Sequence, residues 1–119
     1  MTTTYEQART DLEKAADEAC LARVKAGIEL LQEKYGRDWV EKIDLESFDI
    51  GSPTHCVLGQ VYSNDARLAD PLQSGYEYGR KMLYPGRPSF EYGFDGADTI
   101  RLQRVWKQEI NARKRPINA

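Results

Sequence analysis

The first third of the chain carries one apolar stripe, and this stripe constrains the fold more than any other feature. Its residues follow one another at steps of three and four, which places them on one face of an α-helix. Thr4 and Gln7 form the capping-box pattern that begins a helix, and Gly36 is a residue type that ends one. The pattern predicts one long helix over residues 4–35, or two nearly collinear helices with a break around 18–22. The stripe consists of Ala8, Leu12, Ala16, Ala19 or Cys20, Val24, Ile28, Leu31 and Tyr35.

A second helix is predicted at about 52–63, in the segment that contains the sequence HCVLGQVY. Ser52 is a favourable N-cap, and Pro53 fits the first helical position because its missing N–H would be unpaired there in any case. Apolar side chains cover most of the circumference of this helix, which is typical of a helix buried in a core. Gly59 offers a place where another backbone can approach closely. We therefore expect this helix to be central, and to end near residues 63–64.

Two more helices follow from their start signals. Asp70 is a favourable N-cap and Pro71 follows it at the first helical position, as Ser52 and Pro53 do. These two residues predict a helix that runs to about Leu83. A last helix is predicted to begin near Asp95 or Asp98 and to stop at Pro116, which leaves residues 115–119 as a frayed tail. The apolar stripe of this last helix consists of Leu102, Val105, Trp106 and Ile110.

The remaining segments are connectors rich in large apolar residues. Between residues 37 and 50, Trp39 is interpreted as a plug for the open end of a helical core, with binding by this side chain as the alternative. Between 85 and 96, prolines and glycines break regular structure, and the alternation of Phe90, Tyr92 and Phe94 leaves a short strand open. The sequence thus predicts an all-α fold: one compact domain over 1–119, with four or five helices around the central one and at most a minor β-turn element near 88–94.

Composition and charge exclude several classes of protein. Of the 119 residues, 40% are hydrophobic and 30% are charged, which is typical of a globular domain and not of a disordered or fibrous chain. The net charge of −2 gives no overall bias toward nucleic acids. The first residues lack the apolar region of a secretory signal, and no apolar run approaches the length of a membrane span. We therefore expect a cytoplasmic protein without membrane contact.

The adjacent residues His55 and Cys56 raise the question of a catalytic or metal site. Neighbouring residues on a helix point about 100° apart, so this imidazole would not face this thiol, and the chain has no second histidine. The cysteines at 20 and 56 form no C-x-x-C pattern, and a structural zinc site needs four ligands. We expect no catalytic residue, no cofactor and no metal, and we interpret Cys56 as a small, semi-buried thiol.

Aromatic residues between 76 and 94 give the strongest signal for an interaction. Tyrosine is enriched at protein interfaces, because its ring is apolar and its tip is polar. We predict partner binding by Tyr76, Tyr84, Phe90 and Tyr92, and by the exposed face of the N-terminal helix; the alternative is that these rings pin a long loop onto the core. A second hypothesis is nucleic-acid binding by the basic last helix, through contacts to phosphates. Its candidate residues are Arg101, Arg104, Lys107, Arg113 and Lys114.

Three segments together resemble a known group of proteins. They are W-x₃-IDLESFDI-x₅-CVLGQVY from Trp39 to Tyr62, YGFDG at 92–96, and L-x₃-W-x₃-I from Leu102 to Ile110. The pattern resembles small accessory proteins encoded by actinobacteriophages, of the kind found in mycobacteriophages. The resemblance covers roughly residues 24–110 and brings no catalytic residues with it. It implies a phage-encoded, non-enzymatic protein that acts in the cytoplasm of an infected bacterium by binding one host protein and modulating its activity.

Overall fold

The computed structural model describes residues 4–62 and 74–114. Within these ranges the chain forms four α-helices and two 3₁₀ helices, and it contains no β-strand. The α-helices are α1 (Tyr5–Tyr35), α2 (Val57–Tyr62), α3 (Gly75–Leu83) and α4 (Thr99–Arg113). The first 3₁₀ helix spans Arg37–Lys42, and the second spans Ser89–Tyr92. The prediction of an all-α fold is confirmed.

Helix α1 is continuous, so the break considered around 18–22 does not occur. At its start the side-chain oxygen of Thr4 accepts the backbone N–H of Gln7 at 3.1 Å. At its end Gly36 has a φ of 73°, and its N–H donates to the carbonyl of Gln32 at 2.8 Å. Both ends of the helix therefore lie where the local capping signals predicted them.

The apolar stripe of α1 is buried over its second half only. Cys20, Val24, Ile28 and Leu31 lie in the core, whereas residues 4–15 are all exposed and Leu12 keeps 72% of its surface in contact with solvent. The stripe predicted over residues 8–35 is thus a core face only from Cys20 onward. Residues 5–19 are called the arm below.

The core is formed by the second half of α1, the first 3₁₀ helix, α2 and α4. The predicted stripe of α4 is buried in full, and Asp98 caps this helix by accepting the N–H of Arg101 at 3.0 Å. The Trp106 ring stacks on Phe94 with centroids 5.4 Å apart and meets the edge of Trp39 at 6.3 Å. Trp39 is itself fully buried, which confirms its interpretation as a core plug.

Helices α2 and α3 cross at glycines. A Cβ atom on Gly75 would lie 2.7 Å from the carbonyl oxygen of Gly59, and one on Gly79 would lie 2.8 Å from the ring of Tyr62. Cβ atoms in proteins do not come this close to non-bonded atoms, so neither position has room for a side chain. The two helices are therefore in direct contact at this crossing. The predicted close approach at Gly59 is confirmed, and α2 is buried along its whole length except for Gln60.

The predicted helix at 52–63 begins later than expected. Ser52 does act as a cap, because its side-chain oxygen accepts the N–H of His55 at 3.2 Å. However, the carbonyl of Pro53 accepts the N–H of Tyr76 at 3.1 Å, so this carbonyl binds α3 instead of extending α2. Residues 53–55 consequently form a turn, and the regular helix starts at Val57.

Three other expectations concern residues that the structure does not describe. These are the end of the central helix near 63–64, the helix start at Asp70 and the tail at 115–119. Where the description resumes, α3 begins at Gly75, and the side-chain oxygen of Ser74 accepts the N–H of Glu77 at 3.2 Å.

The alternation near 88–94 does not produce a strand. The segment Ser89–Tyr92 is a 3₁₀ helix, and Gly93 follows it with a φ of 70° in the left-handed region. The N–H of Phe94 donates to the carbonyl of Ser89 at 3.1 Å, so these backbone groups pair locally. An isolated strand would have left the same groups without a neighbouring strand to pair with.

Candidate interaction surface

The environment of Cys56 is that of a buried structural thiol. Its sulfur accepts the backbone N–H of Gly59 at 3.3 Å, and burial raises the pKa of the Cys56 thiol. His55 is exposed, and its Nδ1 lies 2.9 Å from the hydroxyl of Thr54. Within 4–62 and 74–114, no three or more His, Cys, Asp or Glu side chains are placed to hold a metal ion. A raised pKa lowers the thiolate fraction of Cys56 and with it the nucleophilicity of this sulfur.

Two glutamines fasten the 43–50 connector to the helices. The Gln60 side chain accepts the N–H of Asp44 at 2.7 Å and donates to the carbonyl of the same residue at 3.2 Å. The Gln103 side chain binds the next part of the connector in the same way. It accepts the N–H of Ile50 at 2.6 Å and donates to the carbonyl of Phe48 at 2.8 Å. Neither contact could be predicted from the sequence, because an amide side chain gives no sequence signal for a distant backbone partner.

The prediction that Tyr84 contacts a partner does not fit its position. This side chain is only 3% exposed, its ring stacks on Phe94 with centroids 5.5 Å apart, and its hydroxyl lies 2.8 Å from the hydroxyl of Ser89. Burial raises the pKa of the Tyr84 phenol well above its ordinary value. Because a partner could not reach this ring without opening the core, Tyr84 is corrected to a core residue.

Tyr76 is half-buried and shares the same anchor. Its hydroxyl donates to the hydroxyl of Ser89 at 3.0 Å, so two tyrosines meet on one buried serine. The Arg80 guanidinium lies 5.6 Å from the centre of the Tyr76 ring. For Tyr76 and Tyr84 the alternative interpretation therefore applies, in which the rings pin the loop onto the core.

Phe90 and Tyr92, unlike Tyr84, reach the surface. Phe90 is 52% exposed, and the Arg23 guanidinium lies over its ring at 4.4 Å. Tyr92 is half-buried and forms one wall of a groove of about 520 Å³ along α1, called the outer groove below. The outer groove is lined by Ala26, Glu29, Leu30, Gln32, Glu33 and Tyr92.

The basic residues of α4 are largely engaged within the molecule. Arg101 and Arg104 both bind the carboxylate of Asp17, at 2.8 Å and 2.7 Å. Arg113 pairs with Glu109 at 3.1 Å, and the ammonium group of Lys114 donates to the carbonyl of Ile43 at 2.5 Å. Of the five candidate residues for nucleic-acid binding, only Lys107 is exposed and forms neither an ion pair nor a side-chain hydrogen bond within residues 4–62 and 74–114. The argument for a basic nucleic-acid-binding face on α4 is therefore weaker than the sequence suggested.

Replacing Asp17 by asparagine is expected to lower the free energy of unfolding at neutral pH. It should also reduce the loss of that free energy as the pH falls into the acid range. Arg104 and Arg101 hold the pKa of the Asp17 carboxyl below its ordinary value of 3.8. A carboxyl whose pKa is lower in the folded state stabilises the fold above the unfolded pKa, and this stabilisation is lost as the pH falls through the folded pKa. Urea denaturation over a pH series measures this difference.

The matched control for this prediction is Glu13→Gln, because Glu13 pairs with Arg9 at 3.5 Å on an exposed part of the arm. Exposed pairs of this kind contribute little to stability. A difference between wild type and Asp17→Asn that stays constant down to a pH well below 3.8 would contradict the assigned ion pair.

No family model, no curated protein and no solved structure matches this chain. Among the described residues, no helix is both long enough and apolar enough to cross a bilayer. The residues that carry the resemblance to phage proteins lie mainly in the core, as Trp39, Leu58, Gly59 and Trp106 illustrate. In this chain the quoted segments therefore serve mainly in packing, and of their residues only Tyr92 lines the outer groove.

Proposed function

We propose that this chain is a phage-encoded accessory protein that binds a host bacterial protein in the cytoplasm and modulates it without catalysis. The observation that carries the proposal is the outer groove, in which Tyr92 lies beside the apolar side chains of Ala26 and Leu30. Tyr92 is also the predicted contact residue that borders this groove. Partly exposed tyrosines beside apolar side chains are typical of protein interfaces.

The side chains around the groove specify the chemistry of the partner. Ala26 and Leu30 offer apolar contacts, while Glu29 and Glu33 place two carboxylates one helical turn apart on the rim. A complementary segment would insert an apolar side chain and place lysine or arginine residues against these carboxylates. We therefore propose that the host protein presents an amphipathic segment with basic flanks.

The non-catalytic character of the proposal is supported by the state of the reactive groups. The Cys56 thiol is buried with a raised pKa, and the His55 imidazole lies on the surface beside hydroxyl groups. Neither the outer groove nor its rim contains a histidine or cysteine. Binding is the function that this set of side chains can support.

The test is affinity purification from the bacterial host, with captured proteins identified by mass spectrometry. Wild type is compared with the double variant Glu29→Lys and Glu33→Lys. A control of equal charge change carries Glu41→Lys in the first 3₁₀ helix and Glu46→Lys in the 43–50 connector, both at exposed positions. We expect one host protein to be captured by wild type and by the control, and to be lost or reduced at least about tenfold with the groove variant, because like charges would then face each other. Equal capture by both variants would overturn the proposal.

Nucleic-acid binding by α4 remains the competing hypothesis for the function. It predicts a mobility shift of DNA or RNA at low salt that weakens steeply as salt is added. If such a shift occurs and Lys107→Glu reduces it, α4 is a binding helix and the proposed protein-binding function needs revision. The absence of a shift at low salt would remove this hypothesis.

A further inference from the structure

The arm presents large apolar side chains to solvent. Tyr5 is 82% exposed and Leu12 is 72% exposed, and residues 4–15 make no buried contact with the described chain. A helix of this length is marginally stable in water on its own, because most helical stability in proteins comes from packing of an apolar face. The arm therefore carries a face suited to packing against another molecule.

The exposed apolar residues follow a heptad pattern that continues beyond the arm. They alternate at steps of three and four, which is the spacing of the a and d positions of a coiled coil. All six are exposed: Tyr5, Ala8, Leu12, Ala15, Ala19 and Ala22. This set is called the seam below.

The seam is a different face of α1 from the one that packs in the core. Ala19 belongs to the seam and is exposed, whereas Cys20 and Val24 are buried. Successive residues on a helix differ in direction by about 100°, so the two faces point away from each other. A second helix could lie along the seam without meeting the core, and the alanines would allow its backbone to come close.

Charges beside the seam favour a second copy of this chain in parallel orientation. In a parallel pair, a residue at position g faces the residue five positions later on the other helix, at position e. Glu18 and Arg23 stand in this relation, so each copy would place its Glu18 against Arg23 of the other copy.

An antiparallel pair would have the opposite electrostatics. Packing Leu12 of one copy against Ala15 of the other would bring Asp11 near Glu18 of the second copy, twice in each dimer. Like charges in such positions are destabilising. Along residues 4–23 the parallel arrangement contains no like-charge pair between g and e positions, since the other g residues, Thr4 and Asp11, face Arg9 and Ala16.

We propose that two copies of this chain form a parallel, in-register dimer through the seam. A two-fold interface uses the same patch on both subunits, as the seam requires.

The first experiment is disulfide trapping with the purified full chain, which needs no host partner. In a parallel dimer, Ala8→Cys places two thiols opposite each other within bonding reach, whereas Thr10→Cys, on an exposed face off the seam, does not. The native thiols of Cys20 and Cys56 are buried and should not compete. We expect rapid dimer formation by Ala8→Cys under mild oxidation and little by Thr10→Cys.

The second experiment measures mass in solution by sedimentation over a dilution series. We expect wild type to sediment with twice the mass of one chain, and Leu12→Glu to weaken the dimer at least about tenfold, because two like charges would face each other in the seam. Leu12 is solvent-exposed, so the melting temperature of the diluted variant should stay near that of wild type. Glu18→Arg should also weaken the dimer, and adding Arg23→Glu should restore it.

Three results would overturn the proposal. A wild-type chain that stays monomeric throughout the series excludes the dimer, and a dimer that Leu12→Glu leaves unchanged excludes the seam. Cross-linking between a chain with Ala8→Cys and a chain with Ala19→Cys, without cross-linking of Ala8→Cys to itself, establishes the antiparallel arrangement instead.

Discussion

Gly59→Leu is expected to abolish the cooperative unfolding transition of this protein. A Cβ atom at this position would lie 2.5 Å from the carbonyl carbon of Thr54 and 2.7 Å from the carbonyl oxygen of Pro53. On the other side, the backbone of Gly75 touches Gly59 directly, so α2 cannot move away without disturbing α3. The expected cost is on the order of 5 kcal/mol or more, which is comparable to the whole stability of a small domain.

Thermal unfolding followed by far-ultraviolet circular dichroism measures this effect. The matched control is Gly96→Ala, whose Cβ would meet a methyl group of Leu102 at 3.6 Å, an ordinary contact. We expect the control to remain within about 0.5 kcal/mol of wild type. A Gly59→Leu protein that melts cooperatively near the wild-type temperature would show that the two helices do not cross at their glycines.

Trp106→Ala is expected to lower the stability by about 3–5 kcal/mol through the lost ring alone. The ring is fully buried, stacks on Phe94 and meets Trp39 edge-on, so its removal leaves a cavity between α4, the second 3₁₀ helix and the first. Its Nε1 also donates to the carbonyl of Gly93 at 2.6 Å, and that buried acceptor would lose its partner. In a domain of this size the melting temperature should fall by roughly 15 °C.

Two controls separate the contributions of Trp106. Trp106→Phe keeps an aromatic ring in the core but removes the donor, so we expect a smaller loss of about 1–3 kcal/mol. Lys107→Ala changes the neighbouring, exposed residue and should have an effect within about 0.5 kcal/mol. Equal losses for Trp106→Ala and Trp106→Phe would mean that the hydrogen bond to Gly93, and not ring packing, dominates.

Features that depend on near neighbours in the chain were predicted well. Thr4 and Asp98 cap their helices, because a short polar side chain needs only the N–H three residues later. The stripe of α4 is buried in full, since a three-and-four spacing fixes which residues share a face. The burial of Trp39 followed from its size and its place in an apolar connector.

The candidate interaction surface was predicted only in part. Phe90 and Tyr92 reach the surface, but Tyr84 does not. All three are aromatic residues of similar size, and their neighbours along the chain are similar in composition. The difference arises because Phe94 and Ser89 fold back over Tyr84. The outer groove could not be predicted at all, since it exists only where the second 3₁₀ helix lies against α1.

The sequence by itself determined the helical class of this protein, most helix ends and the faces on which apolar residues gather. Those properties follow from backbone hydrogen bonds and periodicities that span a few residues. Only the tertiary structure decided which apolar faces are covered, so that Cys20 is buried while Leu12 is exposed on the same helix. It also decided that Arg101 and Arg104 bind Asp17 instead of facing solvent, because burial and charge pairing depend on elements that are distant in the chain.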